Sequence, residues 1–121
     1  MNFSISDVTS SNYISIETTS GKQVFGVVRQ GGSTQATIST SPAFFTKGQR
    51  LKCAIAYKVN DFAFYINGTQ IGTDSSGSVP ACDDVRFARY NGSLAAAQKV
   101  NKTLLFDTRL SNTDLETLTT L

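Results

Sequence analysis

Covalent chemistry has little to work with in this chain. It contains no histidine, which removes the Ser-His-Asp and Cys-His pairs and deprives zinc and non-haem iron of their commonest ligand. Glu17 and Glu116 are its glutamates, far apart in sequence, whereas glycoside hydrolysis needs two carboxylates roughly 5 to 10 Å apart across the scissile bond. Asp83 and Asp84, with Asp74 and Asn91, offer hard oxygen atoms of the kind calcium takes from loops. No EF-hand spacing is present, and an ordinary polar loop with an acidic pair beside a strand is the preferred reading, so no cofactor is expected. Cys53 lies in an apolar run and Cys82 follows a Pro in a loop; two free thiols are expected, because disulfides are rare outside oxidising compartments. The chain reads as a non-enzyme, and attention moves to binding. Lys58, Tyr65, Arg86 and Tyr90 combine aromatic faces with hydrogen-bonding groups, the combination by which sugars are held.

The elements that must position those residues are strands. Phe3 and Ile5 alternate with polar neighbours, as do Ile14 and Ile16, which predicts two half-buried strands. Gln23 to Arg29 is a more continuous apolar run broken by Gly26, as in a central strand with a close neighbour or a bulge. Gly31-Gly32 marks a turn, and Thr34 to Thr40 a weaker, Thr-rich strand. From Arg50 onward Leu51, Cys53, Ile55, Tyr57 and Val59 share one face, with Lys52, Ala54, Ala56 and Lys58 on the other. Asn60-Asp61 then turns into Phe62, Phe64 and Ile66, and Asn67-Gly68 supplies the positive φ values of a type I′ hairpin into Thr69 to Thr73. Val85 and Phe87 start another strand. A less regular stretch with Ala95, Ala96 and Ala97 leads to a last strand over Thr103 to Phe106. Ser111 and Asp114 form a capping box for a short terminal helix, with Leu110 and Leu115 as a staple and Leu115 and Leu118 available to pack on a sheet edge.

This pattern predicts an all-β antiparallel sandwich with one short C-terminal helix, and 121 residues fit a single domain over 1–121. Ser and Thr make up roughly a quarter of the chain against 17% charged residues, a β-rich, particle-like surface. With 11 basic and 9 acidic residues there is no clustered cationic excess for nucleic acid or an anionic membrane. The start MNFSISDV lacks the basic and apolar regions of a signal peptide, and no run approaches the about 20 apolar residues that span a bilayer. A soluble product without an export signal of its own is expected.

Ala54 to Pro80, followed by Asp107 to Leu121, resembles the concanavalin A-like lectin/glucanase (laminin-G-like) domains of bacteriophage tail fibres, tail spikes and other virion appendages. The residues carrying the likeness are Tyr57, Lys58, Asn60 and Asp61, then Tyr65, Asn67 and Gly68, then Arg109, Leu110 and Ser111. The resemblance implies a jelly-roll sandwich on a virion, used in carbohydrate recognition or attachment. The Glu-x-Asp-x-x-Glu strand of the glucanase relatives has no counterpart in this chain, and neither have the family's additional upstream strands, so an edge for a partner is expected.

One geometric expectation follows. If Cys53, Ile55, Phe62, Phe64, Val85 and Phe87 point into the sandwich, then Ala54, Ala56, Ala63 and Ala88 pave the opposite surface. That surface would be a smooth trough bordered by Lys58, Tyr65, Arg86 and Tyr90, open to a host surface glycan or covered by a neighbouring virion protein. The expected function is therefore non-enzymatic adhesion through a lectin-like module, the alternative being a structural assembly or cement subunit that binds only protein. The exposed edge and the alanine face also predict a homo-oligomer, with a trimer the form common among fibre proteins of the resembled group.

Overall fold

The computed structural model describes residues 1–93 and 98–121. Its strands are β1 (Asn2–Ser6), β2 (Tyr13–Thr18), β3 (Val24–Gln30), β4 (Ser33–Ser39), β5 (Cys53–Lys58), β6 (Asp61–Ile66), β7 (Thr69–Asp74) and β8 (Asp84–Arg86), and Asn112–Thr119 forms the helix α1. They make two antiparallel sheets, ordered β4-β3-β2-β1-β8 and β5-β6-β7. This is the antiparallel sandwich with a short terminal helix that the alternation predicts.

Register explains the core. Ile5 pairs with Ile14 and Phe3 with Ile16, while Ile14 pairs with Val28 and Ile16 with Gly26, so one face of the larger sheet is a continuous apolar surface. Ile14, Ile16, Val24, Val28 and Ile38 on that surface meet Phe62, Phe64 and Ile66 of β6 to form the main core. Gly26 is the close approach anticipated from its place in the strand: a Cβ there would stand 3.1 Å from the Phe64 ring and 3.2 Å from Ile55. The bulge lies elsewhere, between Val28 and Arg29. Asn67 and Gly68 adopt φ values of 51° and 79°, as a type I′ turn requires. The β5–β6 turn falls one residue early. Lys58 pairs with Asp61, so Val59 and Asn60 form the loop and Asn60 takes the positive φ.

The structure corrects four expectations. Thr103 to Phe106 is not a strand; a strand exists through ladder bonds to a neighbouring chain segment, and these residues join no ladder among the described residues. Val85 and Phe87 are 50% and 49% exposed rather than inside the sandwich. Their face of the larger sheet projects beyond the smaller one, which lies over β2 to β4: β7 packs on β4, β6 reaches Gly26 of β3, and Ile55 follows beside it. The helix does not sit on an edge with both leucines inward, since Leu115 is 4% and Leu118 41% exposed. It lies across the outer face of β5 and β6, where Leu115 packs with Ala56, Ala63 and Tyr65, and Leu110 and Ala54 join them. Ala54, Ala56 and Ala63 consequently lie beneath the helix, their small side chains letting it approach the sheet, whereas Ala88 does not share their face and is buried beyond β8. The expected stretch at Ala95 to Ala97 falls outside the described residues.

Beyond β8 the chain folds back over the outer face of the larger sheet. The Ser4 hydroxyl donates to the Ala88 carbonyl at 3.0 Å and the Ser6 hydroxyl to that of Tyr90 at 3.4 Å. Arg89 pairs with Glu17 at 3.2 Å. Serines at wholly buried positions are thereby satisfied, as buried polar groups must be. Among the described residues no helix is long and apolar enough to cross a membrane.

Candidate functional site

The four residues expected to border a trough do not converge. Tyr65, on β6, is 4% exposed, and its hydroxyl donates to Gln70 Oε1 across the hairpin at 2.6 Å. The ring that was to stack on a sugar lies under α1, which is the correction that closes the alanine-face site. Arg86 ends β8 of the other sheet, and Tyr90 lies in the segment after it. Arg86 donates through Nε to Asp84 Oδ1 at 2.6 Å, and Tyr90 stacks on Tyr13 with ring centroids 4.4 Å apart and planes 16° off parallel. The stacking, with the Ser6 hydroxyl on the Tyr90 carbonyl, holds the segment after β8 in place, while the Arg86 pair lies within β8. Lys58, at the end of β5, remains exposed.

Three of the four candidate calcium ligands, Asp74, Asp84 and Asn91, are likewise engaged locally. Asp84 faces Arg86, Asp74 Oδ1 accepts from the amide and hydroxyl of Ser76, and Asn91 Oδ1 accepts from those of Ser93. These are side-chain turns on the backbone two residues onward. Among the described residues no group of three potential metal ligands is assembled. Cys53 and Cys82 are both free thiols.

Lys58 does border a depression, on a different side of the molecule. Where β5 ends the smaller sheet, an apolar cleft of about 400 Å³ is lined by Ile5, Ile14, Tyr57, Pro80, Cys82, Leu105, Phe106 and Asp107. Beside it, a polar cleft of about 390 Å³ is lined by Tyr57, Lys58, Asp107, Thr108 and Arg109. Tyr57 and Asp107 line both, so the two run together as one amphipathic groove. Partial burial, and then the neighbouring Cys82, raise the Tyr57 pKa above its ordinary value, so the phenol is neutral at physiological pH and can donate a hydrogen bond.

Arg109 positions the polar end. Its guanidinium donates to Asp61 Oδ1 at 2.9 Å and to the Leu110 carbonyl, which ties the segment before α1 to the β5–β6 turn. Leu110 then enters the cluster beneath the helix, and the Ser111 hydroxyl accepts from the Asp114 amide in the expected capping box. The Arg-Leu-Ser motif is therefore architectural in each of its residues, and its by-product is to set Asp107 and Thr108 beside Tyr57. Sequence reasoning quoted Tyr57 and Arg109 as fold markers and passed over Asp107 and Thr108. Their proximity depends on a chain return across some fifty residues, and no local pattern signals it.

Among the described residues the groove is lined by the Tyr57 phenol, the Lys58 amine, the Thr108 hydroxyl, the Arg109 guanidinium, the Cys82 thiol and the Asp107 carboxylate. That set can stack and exchange hydrogen bonds with a polyol. No family model and no curated protein matches the chain. Among solved structures it is similar to an S-layer domain-containing protein from Clostridium thermocellum, at 20% identity and a TM-score of 0.49. The match covers 99% of this chain and 61% of that one, so the chain spans less than two thirds of the neighbour's length.

Proposed function

We propose that the chain is a non-enzymatic, lectin-like sandwich module of a phage virion appendage, acting in adhesion, with a surface carbohydrate as its ligand. The observation that supports the reading is the groove at Tyr57, where an aromatic side chain stands between an apolar wall and the convergent polar groups of Lys58, Asp107 and Thr108. Binding sites for small molecules share that composition: apolar lining with a few placed polar groups. The virion setting rests on the resemblance of the Tyr57 to Gly68 and Arg109 to Ser111 motifs. A glycan array and adsorption to cells test the ligand. The wild type is expected to retain at least one glycan class, with the signal lost in Tyr57→Ala and weakened in Lys58→Ala while Tyr90→Ala leaves it unchanged. A wild type that retains no glycan removes the adhesion reading.

A second reading, an assembly subunit that binds only protein, is supported by a separate observation. Val85 and Phe87 on the uncovered end of the larger sheet, and Leu105 and Phe106 beside it, are between 46% and 59% exposed. Large apolar side chains gathered on one side of a small protein mark a contact surface.

A further inference from the structure

We infer that the flank left uncovered by the smaller sheet is the seat of a second copy of this chain. The inference deepens the assembly reading and competes with glycan binding, because Leu105, Phe106, Lys58 and Asp107 line the same groove. One sheet has five strands and the other three, and β5, the end strand of the smaller sheet, has β6 as its one ladder partner. Above β1 and β2, beyond the β5 end of the smaller sheet, there is the apolar cleft, floored by Ile5 and Ile14. Val85 is paired with Ile5 on β1 and so shares the sheet face of that cleft residue, and the ring of Phe87 stands 5.8 Å from that of Phe3. The β5 edge is charged only at its end, where Lys58 closes the strand; Cys53 to Tyr57 contains neither charge nor proline.

Area and charge both favour a second copy. Val85, Phe87, Leu105 and Phe106 are about half exposed, which at roughly 180 Å² for a full large side chain leaves roughly 350 Å² of apolar surface per molecule. Two molecules would cover roughly 700 Å² of it, and because interfaces are about 60% apolar the whole contact comes to roughly 1,200 Å², the lower bound of specific complexes. A two-fold contact needs a patch that complements itself. This one has an unpaired strand edge beside apolar side chains, and a rim with one exposed cation, Lys58, and one exposed anion, Asp107. Two copies facing each other can set each of these against its opposite.

Sedimentation velocity and light scattering on the full chain decide the matter. The mass is expected to rise with concentration to twice 13.0 kDa, and to fall back to that of one chain in a Phe87→Asp, Phe106→Asp double variant whose circular dichroism and thermal melt match the wild type. Should the double variant fail to fold, Leu105→Ser is expected to weaken association at least tenfold. Concentration-dependent protection of the β5 amides in hydrogen exchange gives a readout that needs no variant. A wild type that stays monomeric at about 200 µM overturns the inference, assigning the flank to an unrelated partner. Unaltered association in a folded double variant overturns it as well. A dimer that retains no glycan supports the inference and sinks the adhesion reading, and a monomer that retains one does the reverse.

Discussion

Replacing Leu115 by Ala tests whether the helix really seals the alanine face. Leu115 is 4% exposed and packs with Ala56, Ala63 and Tyr65. Truncation removes three buried carbon groups at about 0.8 kcal/mol each, and the vacated volume adds a further cavity cost that brings such changes to about 2–5 kcal/mol. The better helix propensity of Ala returns a few tenths of a kcal/mol at most. A loss of about 3 kcal/mol is expected, a large share of the roughly 5–15 kcal/mol by which domains are stable. Leu118→Ala is the internal control: it lies on the same helix with the same propensity change, but at 41% exposure it should cost under about 1 kcal/mol. Urea unfolding with linear extrapolation measures both, and for a chain of this size the Leu115 variant should also melt roughly 12 °C lower. Equal, small losses at the two positions would mean an undocked helix. The alanine face would then be open, and the argument that moved the site from Tyr65 to Tyr57 would fail.

Two further outcomes follow from close packing and from burial. Gly72→Ala places a Cβ 2.8 Å from Ile38 Cγ2, and because a β-branched side chain has little rotamer freedom the inter-sheet contact must shift; a loss of about 2 kcal/mol in chemical denaturation is expected, and none would refute the close approach of β7 to β4. Burial pushes the Cys53 thiol up to about 12, and burial followed by the carboxylates of Asp7 and Asp83 pushes Cys82 up to about 11. A raised thiol pKa leaves less thiolate at any pH below it, so native-state labelling by a disulfide reagent at about pH 8 should be slower than for a free thiol by roughly two orders of magnitude at Cys82 and three at Cys53, rising tenfold per pH unit; immediate labelling of both would contradict the burial.

Much of the fold was legible because its signals are local. Period-two alternation marks Phe3, Ile5, Ile14 and Ile16, the positive φ demanded of Asn67 and Gly68 fixes a hairpin, and Ser111 with Asp114 starts a helix. Each depends on neighbours within a few residues. Sequence also fixed which side of β5 and β6 is apolar, and Cys53, Ile55, Phe62 and Phe64 do lie toward the main core.

What covers the other side was beyond its reach. An alanine beneath a helix and an alanine at the floor of a ligand trough make the same pattern, since alternation records only that two faces differ. Leu115, fifty residues from Tyr65, decided between them by packing on that face. Thr103 to Phe106 has strand-like composition, but a strand's hydrogen bonds go to a partner segment, and the sheets formed without it. The sizes of the two sheets, and hence the exposed flank at Val85 and Phe87, come from pairings between distant segments. Burial and ladder bonds are properties of contacts across the fold, so tertiary structure alone could place the groove at Tyr57 and close the one expected at Tyr65.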